Sequence, residues 1–224
     1  MKRIGIMGGT FNPIHIGHLL LAEWALDMAG LDEVWFIPAG IPYKKDSVQL
    51  ISGDERLHMV ELAVADHPSF RCLDIEIRRK GYTYSYETLE LLGSQYPENQ
   101  FFFIAGADCL FSIETWKYPD RILKSCTLIA AMRGDTTLEE MQHKKTQLEQ
   151  KYAGGCHDKI ILLPFINMSV SSTEIRQRIQ KGQSVKYLVP DRVLTYVKEK
   201  GFYSEVSFEE ATESNEEGTG RREI

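Results

Sequence analysis

Two histidines three residues apart, His15 and His18, closely follow an adjacent glycine pair, Gly8 and Gly9, in this 224-residue chain. Thr10, Phe11, Asn12, Pro13 and Ile14 lie between. Residues three apart share a helix face, and both imidazoles fall in the first turn of a helix expected over Ile14–Ala29. There, main-chain N–H groups without intrahelical partners and the helix dipole favour an anion. The glycines let the main chain approach a ligand closely, and Pro13 sets φ for a first helical turn. A lone histidine is more often a gap-filler or a cap; two at this spacing after Gly-Gly point to phosphate chemistry. Zinc is disfavoured for want of a third ligand at suitable spacing. The phosphate loop of P-loop NTPases is disfavoured because no G-K-[ST] follows.

A second element of the same chemical kind lies late in the chain, Val170-Ser171-Ser172-Thr173-Glu174-Ile175-Arg176. It reads as another helix start, offering hydroxyls and main-chain N–H groups. Arg176 stands four residues after Ser172 and so on its face, suited to bidentate phosphate contacts. Ser171 is equally readable as a helix cap paired with Glu174, and Arg176 as a solvated charge. Trp116 offers a flat face for an aromatic ring or a core indole. Asp108, after a strand and Gly106, is a ribose-hydroxyl acceptor or a helix N-cap. Lys44 and Lys45 sit in a loop without apolar pattern.

The elements that must carry these groups alternate. Strands are expected over Arg3–Met7, Glu33–Ile37, Phe70–Ile77, Phe101–Ala105, Thr127–Met132 and Lys159–Leu163. Further helices are expected over Gly53–Asp66, Tyr86–Gln95, Thr137–Tyr152, Thr173–Lys181 and Asp191–Lys200. Ser52 with Glu55 reads as a capping box like that at Ser171, Gly182 and Gly201 as helix C-termini, and Pro190 as a helix start. Such alternation predicts a single α/β domain with a doubly wound, mostly parallel, Rossmann-like sheet and helices on both faces. Ligands of such sheets bind beyond the strands' carboxyl ends, where strand order reverses, so the loops after Met7, Ile37, Ala105 and Met132 are the expected site.

Composition narrows the class. Apolar residues make 43% of the chain and charged residues 26%, an ordinary globular balance. No 18-residue apolar run is present, so no membrane span is expected, and the opening residues lack the apolar block of a signal peptide. Cys72, Cys109, Cys126 and Cys156 form no C-x-x-C pair and suit reduced thiols in a cytoplasm. A net charge of −6 gives no nucleic-acid footprint. Between Ser204 and Ile224 stand seven glutamates and two arginines with few apolar residues. The expectation is a domain over 1–203 and an acidic, disordered tail over 204–224.

Gly8–His18 resembles the G-G-T-F-[DN]-P-x-H-x-G-H signature of the HxGH nucleotidyltransferase superfamily, and Val170–Arg176 its I-S-S-T-x-I-R element. Three further segments are similar to bacterial nicotinate-nucleotide adenylyltransferases. These are Ile37–Lys44, Gly81–Leu89 (with Thr83 and Ser85 exchanged relative to the family order) and Ile104–Asp108 followed by Trp116. Lys117 separates Trp116 from Tyr118. The resemblance implies adenylyl transfer from ATP to nicotinate mononucleotide, giving deamido-NAD and pyrophosphate. It implies catalytic roles for His15, His18, Lys44 and Arg176. ATP would contact Gly8, Gly9, Thr10, Phe11, Gly106, Asp108, Arg133, Ser171, Ser172 and Thr173, and the mononucleotide Tyr84, Ser85 and Trp116. Mg²⁺ would arrive with ATP, with no protein metal site. The expected partners are small molecules, not nucleic acid or membrane, and a homo-oligomer is left open. Within the superfamily, nicotinamide mononucleotide and phosphopantetheine are rival acceptors. A non-catalytic nucleotide sensor is the rival outside it, and class I aminoacyl-tRNA synthetases lack support without a K-M-S-K-S-like loop.

Overall fold

The computed structural model describes residues 1–42, 50–132, 136–152, 158–164 and 170–204. The expected boundary after Tyr203 falls at the end of these, and the acidic stretch beyond Ser204 lies outside them, as do Lys44, Arg133 and Cys156.

Six strands form one parallel sheet: β1 Arg3–Gly9, β2 Glu33–Pro38, β4 Phe70–Cys72, β6 Gln100–Gly106, β7 Thr127–Ala131 and β8 Ile160–Leu163. Their spatial order, β4-β2-β1-β6-β7-β8, reverses direction between β1 and β6. That reversal leaves a crevice at the carboxyl ends of those two strands.

Alternation along the strands fills both faces. Phe101, Phe103 and Ala105 of β6 point into one apolar cluster with Ile4 and Ile6 of β1. Phe102 and Ile104 point into the other with Met7. Helices α1 Ile16–Met28, α2 Gly53–Val64, α7 Ser172–Gln180 and α8 Asp191–Glu199 cover the second cluster. Helices α3 Ser85–Gln95, α5 Pro119–Ser125 and α6 Leu138–Lys151 cover the first, together with the short α4 Ala107–Ser112. None of the described helices is long and apolar enough to cross a membrane.

The expected strands and helices all appear, with ends moved by a few residues and one shortened. The strand expected to Ile77 stops at Cys72, where the chain turns: the Arg78 N–H bonds the Asp74 carbonyl at 2.9 Å and the Arg78 side chain the Asp74 carboxylate. Pairing with β2 holds only three residues of this edge strand. A two-stranded parallel ribbon was not foreseen, β3 Ile41–Pro42 with β5 Tyr82–Thr83, nor were α4, α5 and a 3₁₀ turn at Ile113–Thr115. All are too short to show periodicity.

The caps behave as half of what the sequence suggested. Ser52 and Ser171 accept from the N–H of Glu55 and Glu174 at 3.2 and 3.1 Å. The Glu55 carboxylate turns to Tyr196 and Lys200 of α8. Gly182 and Gly201 take φ of +64° and +65°, as a left-handed helix end requires.

Candidate functional site

The register Gly8↔Ile37, Gly9↔Pro38 carries β1 through both glycines. Phe11 then takes φ of +49° and folds its ring back over Gly9, where a Cβ would meet the ring at 3.0 Å. The Asn12–Pro13 bond is cis. His15 is the extended N-cap of α1 and His18 its third residue. The two imidazoles stack with centroids 3.7 Å apart. The main-chain N–H of His15 donates to Nδ1 of His18 at 3.2 Å. A neutral His18 therefore carries its proton on Nε2, available as a donor. Gly17 between them has a steric reason: a Cβ there would lie 3.0 Å from Nδ1 of His15.

Distant residues fasten this loop. Arg56 of α2 is buried and donates three ways, to the carbonyls of Thr10 at 2.8 Å, Gly40 at 3.0 Å and Ile51 at 3.2 Å. Arg176 of α7 donates from Nη1 to the Asn12 carbonyl at 2.8 Å and from Nη2 to Thr173 Oγ1 at 3.3 Å. The Ser172 hydroxyl donates to the Pro13 carbonyl at 2.9 Å, and the Tyr203 hydroxyl to Oδ1 of Asn12 at 2.8 Å. Burial lowers the pKa of both guanidiniums, against the influence of Tyr203, and pushes the Tyr203 phenol well up. Arginine stays charged through such a shift, so two cations flank the histidine loop.

Two cavities open at the sheet's reversal point. The smaller, about 220 Å³, is bounded by His15, His18, Gly106, Cys109 and Val170. The larger, about 650 Å³, is bounded by Thr10, Glu76, Thr83, Ser85, Thr88 and Lys117 among others. Gly8, Phe103 and Trp116 line both, so the two compartments meet there. The Trp116 indole stands perpendicular to the Phe103 ring at 5.9 Å. Glu76, the buried carboxyl of the larger compartment, accepts from Thr88 Oγ1 at 2.7 Å. Burial raises its pKa, against hydrogen bonds from Thr88 and Thr83. A histidine pair over a helix start beside a hydroxyl-rich, aromatic compartment can hold two phosphorylated molecules end to end.

Comparison with known proteins agrees. A cytidylyltransferase-like family model matches residues 6–178. A probable nicotinate-nucleotide adenylyltransferase of Lachnoclostridium phytofermentans is 42% identical over 203 residues, 91% of this chain and 100% of that one. The chain belongs to the nicotinate-nucleotide adenylyltransferase family. Another member, from Clostridium botulinum strain Eklund 17B, is 40% identical over 92% of this chain and 100% of its own. The fold matches that of Plasmodium falciparum nicotinic acid mononucleotide adenylyltransferase, solved in complexes with APC and with NaAD. The TM-scores are 0.72 and 0.74 at 20% identity, covering 91% of this chain and 98% of the other.

Within this family fold, the residues singled out from sequence distribute unevenly. His15, His18 and Gly106 line the smaller cavity; Tyr84, Ser85 and Thr10 line the larger. Gly9, expected at ATP, lines the larger compartment, Gly8 lines both, and Phe11 is buried with its ring edge against His18 at 4.9 Å. Ser171 caps α7, Ser172 ties α7 to the loop, and Thr173 is exposed. Asp108 is exposed as the second residue of α4, whose N-cap is Gly106, so it is not the N-cap weighed for it. Tyr118 is exposed and packs on Tyr86 at 5.0 Å, outside the lining of both cavities. Sequence reading missed Arg56, Glu76, Thr88 and Lys117. Only Arg56 carried a signal: an arginine on the apolar side of α2, between Glu55 and Leu57.

Proposed function

We propose that the chain transfers the adenylyl group of ATP to nicotinate mononucleotide, releasing pyrophosphate and forming deamido-NAD. An oxygen of the mononucleotide 5′-phosphate attacks the α-phosphorus, the bond from that phosphorus to the α–β bridging oxygen breaks, and pyrophosphate leaves with the electron pair. The nucleophile is already an anion, so no general base or covalent intermediate is required. The protein's task is alignment and neutralisation of charge growing on the phosphoryl oxygens.

The observation that carries this reading is the meeting of the two cavities at Gly8 and Trp116, one flanked by stacked imidazoles, the other by hydroxyls and an indole face. ATP takes the smaller compartment and the mononucleotide the larger, so the reacting atoms come together at the shared wall. His18 donates from Nε2 to the phosphoryl oxygens. His15, stacked beneath it, orients the phosphates, and Arg176 adds positive potential from the start of α7. Lys44 draws the two substrates together, and Arg133 contacts ATP; both lie outside the described residues.

Mg²⁺ enters as part of the ATP substrate complex. No carboxylate lines the smaller cavity, and no group of three metal-ligating side chains occurs among the described residues. The donor set therefore does not fit a protein-held ion. The reading includes a cytoplasmic setting, with which the free thiols of Cys72, Cys109 and Cys126 are compatible.

The test is pyrophosphate release from Mg-ATP with nicotinate mononucleotide, nicotinamide mononucleotide and phosphopantetheine offered in parallel. Turnover is expected with the pyridine acceptors, fastest with the acid. Turnover only with phosphopantetheine would reassign the acceptor, and ATP binding without pyrophosphate release under any acceptor would make the chain a sensor.

A further inference from the structure

We propose that the Lys117 side chain is what makes the larger cavity prefer an acid pyridine mononucleotide to its amide. This rests on the function proposed above and adds a named selector to it.

Two of the described lining residues of that cavity are of charged type, Glu76 and Lys117. They stand apart in character. Glu76 is buried and bonded by Thr88, so it offers an incoming anion nothing but repulsion or a neutral carboxyl. Lys117 is at the exposed rim, its ammonium 4.1 Å from the centre of the Tyr84 ring and 5.8 Å from that of Tyr118. An aromatic face steadies a cation without neutralising it. Among the described residues its ammonium lies against phenol rings and not against a carboxylate, so its charge remains available to a ligand.

The chemistry of the two pyridines then decides. A pyridine carboxylate loses hydration on entering a wall of Ile6, Ile37, Leu89 and Phe103, and an anion left unpaired there is costly. An amide loses far less. Lined by those side chains and Glu76 alone, the compartment would favour the amide. Lys117 follows Trp116 directly, so a ring lying on the indole brings its substituent within reach of the neighbouring ammonium. A charge-assisted bond there reverses the preference, and its exposed position keeps the effect moderate.

The experiment measures kcat and KM for both pyridine mononucleotides and for ATP in the wild type, Lys117→Met and Lys117→Arg. Lys117→Met is expected to lower kcat/KM for the acid about tenfold, through KM, as loss of one partly screened charge-assisted contact would. The amide and ATP constants should stay within about twofold, since neither pairs with this ammonium. Lys117→Arg should restore most of the acid preference, and added salt should raise the acid's KM in the wild type but not in Lys117→Met. Equal losses for acid and amide would reduce Lys117 to a packing residue and overturn the proposal, as would an unchanged ratio. Failure of the underlying function shows separately, as a wild type that turns over neither pyridine.

Discussion

The smaller compartment is walled largely by neighbours in sequence, the Gly8–His18 segment, whereas the larger gathers Thr10, Glu76, Ser85, Trp116 and Lys117 from five separate stretches. In the first, steric need ties each residue to the next: Gly9 accepts the Phe11 ring, Gly17 accepts the His15 ring, and His15 and His18 stack. In the second, each side chain is placed by a different helix or turn. A contiguous motif suits a ligand part that never varies, a triphosphate. An assembled wall can be changed one element at a time, which suits the part that distinguishes one acceptor from another.

The comparison can be broken at its strongest point first. His18→Ala should leave folding intact and lower turnover about 10²–10³-fold, the cost of removing one preorganised donor. Near-normal turnover in the folded variant would remove the smaller compartment from the chemistry. Arg56→Met strikes both compartments, because Arg56 holds carbonyls of Thr10 and Gly40. Leaving such buried acceptors unpaired should cost about 2–4 kcal/mol of unfolding free energy. Denaturant titration measures that loss, and KM should rise for both substrates; a rise for one alone would mean that the two loops are not coupled through it.

Trp116 sharpens the contrast. Although it lines both cavities, Trp116→Ala should raise KM for the mononucleotide about tenfold and that for ATP much less, since ring stacking serves the pyridine. Equal changes would make the indole a shared wall and nothing more. The smallest effect lies behind it, at the turn that presents the indole. Hydrogen bonds from Lys144, and next Lys151, hold the Glu114 carboxyl at about 2, below its ordinary 4.5. A depressed carboxyl stabilises the fold fully above its unfolded value, and that contribution is lost as pH falls toward the folded one. Acid titration of unfolding should therefore be steeper for the wild type than for Glu114→Gln between those two pH values; parallel curves would show that the ion pairs do not anchor the turn.

Sequence patterning made the sheet legible because period-two apolar runs such as Phe101–Ala105 fill both faces between amphipathic helices. It made the phosphate end legible because spacing of three on a helix start is itself a geometry. The Phe70–Ile77 run misled, as an edge strand ends where pairing ends and not where apolar residues do. Glu76, which that run would have put in a strand, instead turns toward Thr88 and the cavity. Asp108 misled likewise, since one residue of helical rotation separates a cavity-facing position from an exposed one.

By itself, then, the order of residues determined the β–α alternation, the two phosphate-facing helix starts and the family to which they belong, because each is encoded within a dozen consecutive positions. Only the tertiary structure decided that Arg56 and Tyr203 clamp the histidine loop, that Trp116 forms the wall between two compartments, and that Lys117 and Glu76 stand in one of them. Those relations join residues tens to nearly two hundred positions apart. Burial and contact across that separation follow from how the layers pack, and no local periodicity records them.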